Sequence, residues 1–74
     1  LLNDPGGAAK AYEEAAENYF KGERYFEAAW HYTLAGFLLI SMQRLNEAQK
    51  LAKRAEIACL EGRVTVLLNH LTRV

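Results

Sequence analysis

The chain repeats itself every 20 residues, and that period limits what it can fold into more than any other feature. In blocks of that length Ala8, Ala28 and Ala48 share a column, and Ala15, Ala35 and Ala55 share another. Tyr12 stands over Tyr32 and Ala52, Ala16 over Gly36, and Tyr19 over Leu39 and Cys59. Arg24 stands over Arg44, Tyr25 over Leu45, Glu27 over Glu47, and Gly22 over Gly62. A fixed period of this kind implies stacked copies of one structural unit. Within each block Ala stands at i and i+7 with a tyrosine or Ala at i+4, all on one face of a helix. Small side chains bring helix axes close, and the tyrosines beside them fill the remaining space.

The boundaries follow from local chemistry. Asp4-Pro5 starts a helix, because Asp can cap it and Pro fits the first helical position. The expected helices are residues 5–21, 24–41, 46–61 and a short 63–73, with Gly22 as the left-handed residue ending the first and Gly62 ending the third. Connections of two or three residues force neighbouring helices to run antiparallel. The second is apolar nearly all round, from Tyr25 and Phe26 through Trp30 to Ile40, so it belongs between the first and third. The fold class is all-α, in one domain over residues 1–74. The tail stripe Leu60, Val64, Leu67, Leu71 and Val74 has 4-3-4-3 spacing. Either it closes the bundle, which is the expectation, or it forms a seam with another copy.

The stretch Ala8-Ala9-x-x-Tyr12-x-x-Ala15-Ala16-x-x-Tyr19, followed by Tyr25-x-x-Ala28-x-x-x-Tyr32-x-x-Ala35-Gly36, resembles a tetratricopeptide-type helical hairpin. Within that superfamily it is most similar to the soluble NSF-attachment proteins, whose helices carry a similar Ala-Ala-x-x-Tyr-x-x-Ala-Ala pattern. Residues 42–55 fit the same mould, so the likeness covers roughly 8–62. It departs from the standard tetratricopeptide pattern at Ala16 and Ile40, which stand where that pattern has Gly and Pro. The resemblance implies a non-catalytic adaptor that binds a helix or peptide segment of another protein, in the cytoplasm and in the setting of vesicle trafficking. A second similarity is to the three-helix MIT domain, through Tyr25, Glu27, Ala28, Tyr32, Ala35 and Arg54-Ala55-Glu56. That domain binds short helical motifs between its helices.

Charge and cysteine usage exclude several classes. Basic and acidic residues balance at 9 each, so no net field draws the chain to nucleic acid. Residues 1–22 carry two net negative charges and residues 63–74 two net positive ones. That gradient favours head-to-tail contact between neighbouring units, and together with the apolar tail it leads us to expect self-association through the C-terminal helix. Cys59 is alone, which excludes an internal disulfide and a cysteine-based zinc site, points to a reducing compartment, and suits a small buried hydrophobe. The apolar run Leu34–Ile40 is too short to cross a bilayer. The chain opens Leu1-Leu2-Asn3 without Met, and the end helices of such an array lose a neighbour, so we expect a piece of a longer protein.

No residue pattern amounts to a catalytic, cofactor or metal site. His31 and Glu27 form an i, i+4 pair, but two ligands make a poor metal site. Glu13, Glu14 and Glu17 read as a solvated face. The candidate partner-binding residues are Trp30, which lies off the Ala28–Tyr32–Ala35 face, the basic set Lys50, Lys53 and Arg54, and Leu67 and Leu71 of the tail.

Overall fold

The computed structural model describes residues 4–73, and three helices account for nearly all of them: α1 (Pro5–Lys21), α2 (Tyr25–Ser41) and α3 (Leu45–Thr72). The Asp4 side chain caps α1 by accepting from the Gly7 amide at 3.1 Å, and Pro5 occupies the first turn, where its missing N–H is not needed. Neighbouring helices run antiparallel. Tyr12 meets His31 and Phe20 meets Tyr25 across α1 and α2. Gly36 faces Ala48, and Phe26 faces Gly62, across α2 and α3.

The alanine columns are the core. Ala16, Ala28, Ala35 and Ala58 are wholly inaccessible, and Ala9, Ala29, Tyr32, Leu39, Ala48 and Leu51 join them. None of the fully sealed side chains is large, because the helices approach so closely that little more than a methyl group fits between them. At Gly36 an added Cβ would lie 3.9 Å from the Ala48 carbonyl, which shows how near the α3 backbone comes.

The 20-residue period is reproduced in the two turns. Arg24 N–H donates to the Tyr19 carbonyl at 2.8 Å and Glu23 N–H to Phe20 at 3.0 Å. Twenty residues on, Arg44 donates to Leu39 at 2.9 Å and Gln43 to Ile40 at 2.9 Å. These paired bonds satisfy the last carbonyls of each helix in the Schellman arrangement. Each arginine then pairs with a glutamate in the first turn of the next helix, Arg24 with Glu27 and Arg44 with Glu47, both at 2.6 Å. The Arg24 guanidinium also lies 5.2 Å from the centre of the Tyr19 ring. That hydrogen bond holds the Glu27 carboxyl below its ordinary pKa.

Five expectations need correction. Gly22 is right-handed, with φ −85°; the left-handed residues are Glu23 (φ 62°) and Gln43 (φ 60°), one position further on. Gly62 ends nothing. It is buried inside α3, where an added Cβ would meet the Phe26 ring at 2.9 Å, so glycine stands there to seat an aromatic ring. Hence there is no separate fourth helix among the described residues; α3 runs 28 residues through Gly62, against 17 in α2. The tail therefore does not fold back to close the bundle. Leu60, Val64, Leu67 and Leu71 stay more than half exposed or close to it, while Val74 lies outside the described residues. Cys59 is exposed, because it sits a 100° step around α3 from the buried Ala58.

The three helices form a row, with α2 between α1 and α3 as its composition requires. The Cα extents are 52 × 22 × 13 Å, so the row is one layer thick. Among the described residues the ion pairs from Arg54 to Glu13 (2.9 Å) and Glu17 (3.6 Å) bridge α1 and α3.

Replacing Ala35 by Phe should destabilise the fold by about 3 kcal/mol or more, since the site has no free volume and abuts a helix that cannot retreat. Thermal unfolding followed by circular dichroism checks it, and a variant melting no lower than the parent contradicts the close-packed columns. Glu23→Gly and Gln43→Gly should each stabilise by roughly 0.5–1 kcal/mol, because a left-handed residue with a Cβ is strained and glycine is not. A denaturant midpoint unchanged in the double variant would show the turns to be unstrained. Because its folded-state pKa is depressed, Glu27 contributes stability above its ordinary range and loses it as pH falls. In an NMR titration Arg24→Ala should move the Glu27 midpoint upward.

Candidate protein-docking surface

Among the described residues, three uncovered surfaces could receive a partner. The first is a groove of about 440 Å³ between α1 and α3, floored by Ala9, Leu39 and Leu51. Lys10, Glu13, Arg44, Glu47, Lys50 and Arg54 form its rim. Most of these charges already have partners: Arg44 holds Glu47, and Arg54 holds Glu13 and Glu17. Lys10 and Lys50 make no ion pair among the described residues, and neither does the exposed Lys53. Arg54 thus acts as a strut between helices. Tyr32 lies near it, and burial, with a further push from the Glu17 charge, raises the Tyr32 hydroxyl above its ordinary pKa.

The second surface is a ridge along α2. Phe26, Trp30, Phe37 and Ile40 fall at helical spacing on one side, and their exposures run from 50% to 63%. α2 is covered on two sides, by α1 and by α3, and this third side is left to solvent. Ala28, Ala29, Tyr32, Ala35, Gly36 and Leu39 take up the covered sides. Beside the ridge a furrow of about 180 Å³ runs between α2 and α3, lined by Thr33, Gly36, Phe37, Ile40, Ala48 and Ala52 among others. Small residues make it shallow and smooth.

The third surface belongs to the far half of α3. At 1.5 Å per residue α3 is about 42 Å long and α2 about 26 Å. Since Phe26 near the start of α2 already sits on Gly62, some ten residues of α3 project beyond its neighbour. Val64, Val66, Leu67, Leu68 and Leu71 are all exposed there. A hollow of about 560 Å³ forms where Phe26 faces Arg63, Val66, Leu67 and His70.

The candidate residues are therefore distributed, not gathered. Trp30 is on the α2 ridge, Lys50 and Arg54 rim the α1–α3 groove, Lys53 is exposed on α3, and Leu67 and Leu71 are on the projection. Sequence reasoning selected Trp30 but missed Phe26, Phe37 and Ile40, whose 4-3-4-3 spacing with Trp30 and Thr33 was the available signal.

His31 is occupied structurally. Its ring lies 4.9 Å from that of Tyr19 and 6.0 Å from that of Tyr12. Its Nδ1 is 2.7 Å from the Glu27 carbonyl, and since a carbonyl can only accept, Nδ1 carries the hydrogen. The Glu27 carboxylate is turned to Arg24 instead. Among the described residues no group of three His, Cys, Asp or Glu side chains converges as a metal site would require, and no helix is long and apolar enough to cross a membrane. Compared with known protein families, with characterised proteins and with solved structures, the chain matches none.

Proposed function

We propose that the chain is a non-catalytic protein-interaction module of tetratricopeptide/SNAP-like type that receives an amphipathic helix of another protein on the α2 ridge. One observation carries this reading: the central helix, the most apolar in the molecule, leaves Phe26, Trp30, Phe37 and Ile40 half or more exposed along one side. Contiguous exposed apolar surface of this kind marks interaction sites on soluble chains. Aromatic anchors at i, i+4 and i+11 suit a partner helix that lays its own apolar stripe along the furrow of Gly36, Ala48 and Ala52.

The open row of helices supports the hairpin-array reading over a closed three-helix domain of MIT type, in which all three helices would share one core. The repeated turn, with its left-handed residue and Arg–Glu pair 20 residues apart, supports it too.

A displayed library of helical peptides, selected on the intact chain, tests the proposal. Binders should carry apolar residues at i, i+4 and i+7. Isothermal titration with the best of them should show Trp30→Ala weakening binding at least about tenfold, the equivalent of 1.4 kcal/mol. Lys50→Ala should leave it within about twofold. Acidic extended binders sensitive to Lys50 and indifferent to Trp30 would move the site to the α1–α3 groove and overturn the assignment, and a library yielding no binder would remove the docking role itself.

A further inference from the structure

We propose that two copies of the chain pair through the projecting half of α3, antiparallel, by the stripe Ile57, Leu60, Val64, Leu67, Leu68 and Leu71. Every member of that stripe is 50–59% exposed. The residues of α3 buried in the fold, Ala48, Leu51, Ala58 and Gly62, point the other way: at 100° per residue the two sets lie about 180° apart. So α3 has a second apolar face, turned from its own neighbour and unused within the chain. Its 3-4-3-4 spacing is that of a helix–helix seam.

The repeat itself rules out one occupant. α3 closes on α2 around Gly36, Thr33 and Phe26. Twenty residues on, the corresponding positions of α3 are Glu56, Lys53 and Asn46, all polar and exposed. A further helix cannot close on α3 at Glu56 as α3 closes on α2 at Gly36. Apolar character begins only at Ile57. What covers this face must therefore lie along the last sixteen residues of α3 and not along its whole length.

A second copy meets that requirement in one way only. Head-to-tail packing against α1 offers no large apolar side chain, since the outer side of α1 presents Gly7, Ala11, Glu14, Asn18 and Lys21. The stripe can pair only with itself, which makes a closed two-fold dimer. Running parallel, the two helices would set Glu56 against Glu61 of the partner subunit, like charges in flanking seam positions. Running antiparallel, Glu56 comes to the side carrying the partner's Arg63 and the partner's His70. Six half-exposed aliphatic side chains offer roughly 600 Å² per copy, at the lower edge of what a specific dimer buries.

Sedimentation velocity on the 74-residue chain from about 1 µM to 1 mM reads this directly. The mass should rise towards twice the monomer's, and Leu67→Glu with Leu71→Glu should return it to the monomer with helicity and melting of the folded chain retained. In a Cys59→Ala background, oxidising a mixture of Ile57→Cys and Leu67→Cys chains should give the mixed crosslink. A chain monomeric at all concentrations, or a dimer unmoved by the two glutamates, overturns the proposal. So does a dimer abolished by Trp30→Ala, which would place the contact on α2, or crosslinks found only between identical chains, which would mean parallel pairing.

Discussion

Close approach of helix backbones, made possible by alanine and glycine, is what the rest of the structure depends on. The buried positions are almost all small: Ala9, Ala16, Ala28, Ala29, Ala35, Gly36, Ala48, Ala58 and Gly62. A core of this kind gains little from the transfer of bulky side chains out of water, so its stability rests on many short-range contacts between nearly touching surfaces. It also sets the shape. Helices that meet through methyl groups need no third partner to fill the space between them, and a row one layer thick results in place of a bundle.

A second consequence is that the large apolar residues are displaced outward. With the interfaces taken by alanine, Phe26, Trp30, Phe37 and Ile40 on α2 and the leucines and valines of α3 have no room inside. In an ordinary small domain such residues would be the core. Here they form the surface, and the binding role and the self-pairing proposed above are both readings of that inversion. The α1 side differs: among the described residues its outward side chains are polar or small, and the exposed large apolar residues lie on α2 and α3.

Much of this was legible from sequence. The alanine columns gave the helical faces, the short connections gave the chain direction, and the all-round apolar composition of α2 gave its central place. What was not legible depended on partners across space. Gly62 looks like a helix end until Phe26 is seen lying on it, and Gly22 looks left-handed until the turn closes one residue later at Glu23. Nothing local distinguishes a glycine that breaks a helix from one that receives a ring. Cys59 misled in the same way: a lone thiol suits a core, but it stands one step around α3 from the buried Ala58 and is exposed. For the binding site, the residue types were visible and their grouping was not. Arg54 reads as a free cation in sequence and is a strut in three dimensions.

Trp30 is the sole tryptophan, and it is 60% exposed on the ridge. Its indole is therefore already solvated in the native chain, so its emission changes little when the helices melt and is a poor probe of folding. The same exposure makes it a sensitive optical reporter for anything that lands on α2, where desolvation of the ring would shift the spectrum to the blue. Tyrosine and helical ellipticity follow the fold; the lone indole follows its company.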